Sequence, residues 1–212
     1  MKKVLALIIT AAMSVTALCA CAGTASDTTS AETTAAETQA AAFDPSITAD
    51  RQNLFDAGME GFVGVNYTPV LFLGVPADDP LGNTFLCTAS VVSPDATPYW
   101  ALVTMEDVGS EVTITDIKII DYAAASTDSE VTFTEDDGGA ALGAFEAATD
   151  VEIPAEIQGI DGHDICEILA TQVVSGINYS CLCLEGEQWE IVTVYVNTQG
   201  EAEVTNVAAL NF

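Results

Sequence analysis

Trp100-Ala101-Leu102-Val103-Thr104 and, 89 positions later, Trp189-Glu190-Ile191-Val192-Thr193 decide how this sequence is read. A tryptophan followed at the same spacing by Val-Thr marks an internal duplication, and self-similarity of this kind organises everything around it. Upstream, residues 160–183 align on residues 64–87 at a constant offset of 96. That offset sets Cys166 on Val70, Ile168 on Phe72, Leu169 on Leu73, Leu182 on Leu86 and Cys183 on Cys87. Downstream, Val204-Thr205-Asn206-Val207 falls on Ile114-Thr115-Asp116-Ile117.

Within each copy, Val, Ile, Thr, Phe and Tyr gather in short runs bounded by Gly, Pro, Asn and Asp, a pattern that predicts antiparallel sheet. Four strands are expected near 65–74, 83–92, 99–107 and 111–121, and four more near 163–173, 177–185, 188–196 and 201–211. In the first copy Leu54, Phe55, Met59, Phe62 and Val63 recur at helical spacing, with Thr48 or Ser46 to cap the start and Gly61 and Gly64 to end the helix. In the second copy residues 140–149 favour a helix, shortened or broken because Pro154 cannot continue one. The expected fold class is therefore α+β: two tandem units, each a helix packed on a four-stranded antiparallel sheet. They span residues 43–121 and 140–212 and are joined by an acidic, Gly-ended linker at 122–139. Whether they pack together or sit as separate beads is open at this level.

Gln172-Val173-Val174-Ser175-Gly176, leading into Ile177-Asn178-Tyr179, resembles the Q-x-V-x-G first hairpin of cystatins, the protein inhibitors of papain-type cysteine peptidases. The resemblance implies two cystatin-like units and a projecting apolar hairpin able to enter a preformed cleft. Two departures accompany it. The second hairpin of that copy is Asn197-Thr198-Gln199-Gly200, without the family's tryptophan, and the first copy has Pro76-Ala77-Asp78-Asp79-Pro80-Leu81 where the motif would stand.

The N-terminus carries a different signal. Lys2 and Lys3 precede an apolar run over residues 4–15, too short to span a bilayer and of the length of an export signal. Leu18-Cys19-Ala20-Cys21 resembles the lipobox of bacterial lipoproteins, which implies cleavage after residue 20 and lipid attachment at Cys21. Residues 22–42 hold no aromatic or long aliphatic side chain, and as a flexible stalk would reach about 25 Å. The resemblance implies a lipid-anchored protein on the extracellular face of the membrane.

The net charge is −28, and loss of Lys2 and Lys3 with the signal leaves −30 against two remaining basic residues, Arg51 and Lys118. Nucleic acid, phosphorylated cofactors and anionic headgroups need clustered Lys or Arg, so those partners are excluded. His163 is the only histidine and lies in the turn Asp161-Gly162-His163-Asp164, read as solvated. No nucleophile-base constellation accompanies it, so neither catalysis nor a cofactor is expected. Acidic clusters at Asp78-Asp79 and Glu135-Asp136-Asp137 lack calcium-loop spacing, and no metal is expected either.

If the hairpin tip falls between Val174 and Ser175, Cys166 faces Cys183, Ile168 faces Cys181 and Ala170 faces Tyr179. In the first copy the same register pairs Val70 with Cys87 and Phe72 with Phe85. That makes Cys166 and Cys183 candidates for a disulfide in an exported chain, the alternative being that they serve as small apolar core residues. The functional expectation is a surface-tethered, non-catalytic protein- or peptide-binding lipoprotein using residues 172–176. The alternatives are an inhibitor of papain-type cysteine peptidases and an extracellular enzyme.

Overall fold

Every side chain from Tyr99 to Met105 is buried, a continuous run that a sheet with one wet face would not produce. In the computed structural model, which describes residues 43–76, 79–91, 93, 96–109, 111–134 and 145–212, both faces of this strand are covered. The first copy forms α1 (Ala49–Gly58), β1 (Val65–Gly74), β2 (Gly82–Val91), β3 (Tyr99–Val108) and β4 (Glu111–Ile120). A one-turn helix α2 (Tyr122–Ala125) and the short strands β5 (Phe133–Thr134) and β6 (Glu146–Ala147) follow. The second copy then adds β7 (Ile165–Val173), β8 (Gly176–Glu185), β9 (Gln188–Asn197) and β10 (Ala202–Ala209). The eight long strands lie within two residues of their predicted positions. With the short strands β5 and β6 they make two antiparallel five-stranded sheets, ordered β1-β2-β3-β4-β5 and β10-β9-β8-β7-β6.

The expected pair of helix-on-sheet units is not what forms; the molecule is mostly β. The described part of the predicted second helix is extended instead, with β6 pairing on β7. Pro154 and the left-handed residues Gly159, Asp161 and Gly162 break the following segment into turns. One apolar core, holding Leu73, Leu86, Trp100 and Leu102 with Leu169, Leu182, Trp189 and Ile191, draws from both sheets. The two copies are thus the halves of one sandwich. Outside the first sheet, α1 covers a second core, with Phe55 edge-on to Phe85 at 5.3 Å. Outside the second sheet, irregular chain does the same work, with Ile157 buried on Cys181, Val192 and Val194. Residues 122–131, assigned to the linker from sequence, enter the shared core through Tyr122, Ala125 and Val131.

The first helix is also shorter than its apolar spacing predicts. Thr48 caps it through the Arg51 amide, but it ends at Gly58, and Val63 is 86 % exposed. Gly58 lies so close to β3 that a Cβ there would meet Met105 Sδ at 2.6 Å.

Both tryptophans cross the sandwich. Trp189 Nε1 donates to Leu73 O at 2.7 Å, and Trp100 Nε1 donates to Ala148 O at 3.2 Å. A buried indole needs a partner for its N–H, and here each finds one on the opposite copy. The β-bulges repeat as well. Val70 and Leu73 are the extra residues of β1, and Cys166 and Leu169 are those of β7, the same positions at the offset of 96. Thr115 and Thr205 bulge from β4 and β10, and each donates its hydroxyl to a carbonyl of the neighbouring strand.

The tip is centred on Ser175, with Val173 opposite Ile177, and not between Val174 and Ser175; that shift and the bulges together correct the expected register. Ile168 does face Cys181, and Phe72 does face Phe85, but Ile165 takes the place opposite Cys183, Ser180 the place opposite Ala170, and Pro69 the place opposite Cys87. The bulge at Cys166 turns that side chain toward the shared core, whereas Cys183 lies in the outer core. The two thiols are on opposite faces of the sheet and are free, as are Cys87 and Cys181. No helix among the described residues is long and apolar enough to cross a membrane.

Candidate functional site

In an antiparallel meander alternate turns share an end, so the β7–β8 and β9–β10 turns of the second sheet stand side by side. The Gln172–Gly176 motif makes the first of these turns. Its base is pinned by Asn178 Nδ2 donating to Gln172 Oε1 at 2.7 Å, a cross-strand pair. The tip closes through Val174 N–H donating to Gly176 O at 3.0 Å, and Ser175 Oγ lies 3.4 Å from the Tyr195 hydroxyl on β9. Gly176 is required for space, because a Cβ there would run into the Val196 carbonyl.

Val173 and Val174 have no such constraint and project outward, 82 % and 47 % exposed. Val173 and Val174 thus form an exposed apolar pair on a hairpin that is hydrogen-bonded at its base and tip. Beside the tip runs an open groove of about 560 Å³, lined by Val174, Ile177, Tyr179, Val196 and Thr198, with Glu156 at its margin. The opposite wall is the Asn197 turn, held by Asn197 Oδ1 accepting from Gln199 N–H at 2.8 Å and Glu201 N–H at 3.0 Å. All five motif residues thus gather at one turn, next to the second hairpin.

In the first copy the equivalent loop is built differently. Asp79 Oδ1 accepts from the Leu81 and Gly82 amides, and Asp78 lies outside the described residues. Cys21, the export signal, the stalk and Glu135-Asp136-Asp137 also lie outside them.

At the other end of the second sheet, His163 does not stand by itself. Its ring nitrogens and the carboxylates of Glu185 and Glu190 offer ligand atoms that lie within 4.8 Å of one another. The unbulged register of the tip, Val173 opposite Ile177, would bring His163 level with Glu187. The two extra residues in β7 carry it to Glu185. No spacing in the sequence reports those bulges, which is why the grouping was missed. The repeat offers a clue only afterwards, since the β1 bulges occupy equivalent positions. Burial raises the Cys87 thiol well above its ordinary range and pushes Cys181 up to about 12. No protein-family model, curated protein or solved structure matches this chain.

Proposed function

We propose that this chain is a lipid-tethered, non-catalytic binding module at the extracellular face of a bacterial membrane, which captures an extended protein or peptide segment at the hairpin end of its second sheet. The observation that carries the proposal is the pair Val173 and Val174, apolar and exposed on a hairpin whose base and tip are hydrogen-bonded, beside an open groove of about 560 Å³. A rigid apolar anchor next to a concave surface suits a ligand side chain on either side of the tip, and little ordering cost is incurred on binding. Glu156 at the groove margin and the net charge of −28 favour a ligand with basic residues.

The test is selection of peptides from a displayed library on the immobilised chain, followed by titration against Val173→Asp and Val174→Asp. Selected peptides should lose at least tenfold in affinity for either variant. Equal binding to both variants would remove the hairpin from the proposal. The tether has its own assay: labelled palmitate should enter the chain in a bacterial host and be absent from Cys21→Ser.

A second reading, inhibition of a papain-type cysteine peptidase, is favoured by one observation. The Gln172–Gly176 turn and the Asn197 turn stand together as a blunt double edge. Inhibition of papain by micromolar wild-type chain, lost in Val174→Asp, would select this reading, and no inhibition would discard it.

A further inference from the structure

We propose that His163, Glu185 and Glu190 hold one divalent transition-metal ion of the zinc type, at the end of the second sheet remote from the Val173–Val174 tip. Three separate segments supply the ligands: the turn before β7, the end of β8 and the start of β9. Their ligand atoms lie within 4.8 Å of one another. Zinc bonds of about 2.0–2.2 Å set tetrahedral ligand atoms about 3.3 Å apart, so side-chain rotations on a fixed backbone close the site.

Two further observations point to a cation. Glu190 Oε2 is enclosed from solvent and has no hydrogen-bond partner, a position that is costly for a carboxylate oxygen unless a positive group meets it. No basic side chain among the described residues is placed to do so. Among the described residues the two that carry a permanent positive charge are engaged on the first copy: Arg51 lies over the Phe72 ring, and Lys118 pairs with Asp116. Two carboxylates and an imidazole therefore converge with nothing to neutralise them.

The donor set selects the ion. An imidazole nitrogen with carboxylate oxygens suits zinc and its neighbours, whereas calcium and magnesium prefer oxygen alone. Three protein ligands leave a fourth position to water, which fits a site that Glu185 leaves open to solvent.

The experiment is isothermal titration of the reduced full chain with zinc chloride alone, beside His163→Ala, Glu185→Gln, Glu190→Gln and Cys166→Ser. One equivalent of zinc should bind to wild type and to Cys166→Ser. Affinity should fall at least tenfold in His163→Ala and in Glu185→Gln, whose exposed side chain can change without unfolding the sheet, and excess calcium should not displace the ion. The proposal is overturned by absence of binding at about 1 mM zinc, by equal affinity in wild type and both of those variants, or by loss of the site in Cys166→Ser, which would assign it to a thiol.

Discussion

Trp189→Phe tests the central claim about the fold, that two repeats share one core. Trp189 is 3 % exposed, its indole N–H donates to the Leu73 carbonyl at 2.7 Å across the sandwich, and the Phe43 ring meets it edge-on at 6.2 Å. Phenylalanine keeps a ring in place but takes the donor from a buried carbonyl, a loss of about 1–3 kcal/mol. The smaller side chain leaves a void of roughly 40 Å³, adding about 1 kcal/mol at about 24 cal/mol per Å³. The expected destabilisation is therefore about 2–4 kcal/mol, large for a single substitution in a domain of ordinary stability. The assay is urea unfolding followed by far-UV circular dichroism and by the fluorescence of the remaining tryptophan, Trp100, which belongs to the other copy. The two signals should move together to lower urea, because a shared core unfolds as one unit. A shift under about 0.5 kcal/mol, or a Trp100 transition separate from the circular dichroism transition, would refute the shared core and restore the picture of separate beads.

Three further outcomes follow from the geometry. Gly176→Ala pushes a methyl group into the Val196 carbonyl and should cost about 1–3 kcal/mol in urea unfolding, whereas Val173→Asp, on an exposed tip, should change stability by less than about 0.5 kcal/mol. Thiol titration of the folded chain should leave Cys87, Cys181 and Cys183 unreacted, since each is fully buried, and in denaturant all four described cysteines should react, which a 166–183 bridge would prevent. Burial raises the Cys181 thiol from an ordinary 9.0 to about 12, so the unfolded chain releases that proton first. The stability this thiol contributes is complete below pH 9 and is lost between about pH 9 and 12, and the fall of unfolding free energy over that range should be shallower in Cys181→Ala.

The hairpin at 172–176 was legible because its information is local: two valines, a serine and a glycine follow one another within five residues. Its exposure follows from being a turn, and its pinning by Gln172 and Asn178 follows from their being opposite each other. The cysteine pairing was not legible in the same way. A bulge changes which side chain faces which, and one extra residue at Cys166 was enough to send it to the shared core while Cys183 stayed in the outer one. The grouping of His163 with Glu185 and Glu190 depended on the same two bulges. The α+β expectation failed for a related reason. One helix on each sheet leaves the other face wet, whereas the unbroken burial of Tyr99 to Met105 reflects a second sheet on one side and α1 on the other.

By itself, then, the sequence determined the duplication, the eight long strands and the hairpin, because period, turn residues and repeated motifs act over a few neighbouring positions. Tertiary structure alone decided that the copies face each other through Trp100 and Trp189, that the segment after Pro154 covers a sheet without being a helix, and that His163 meets two glutamates. Those outcomes depend on which surfaces meet once both sheets exist. Facing the two sheets together removes the apolar faces of both repeats from water at once, and no short stretch of sequence encodes that choice.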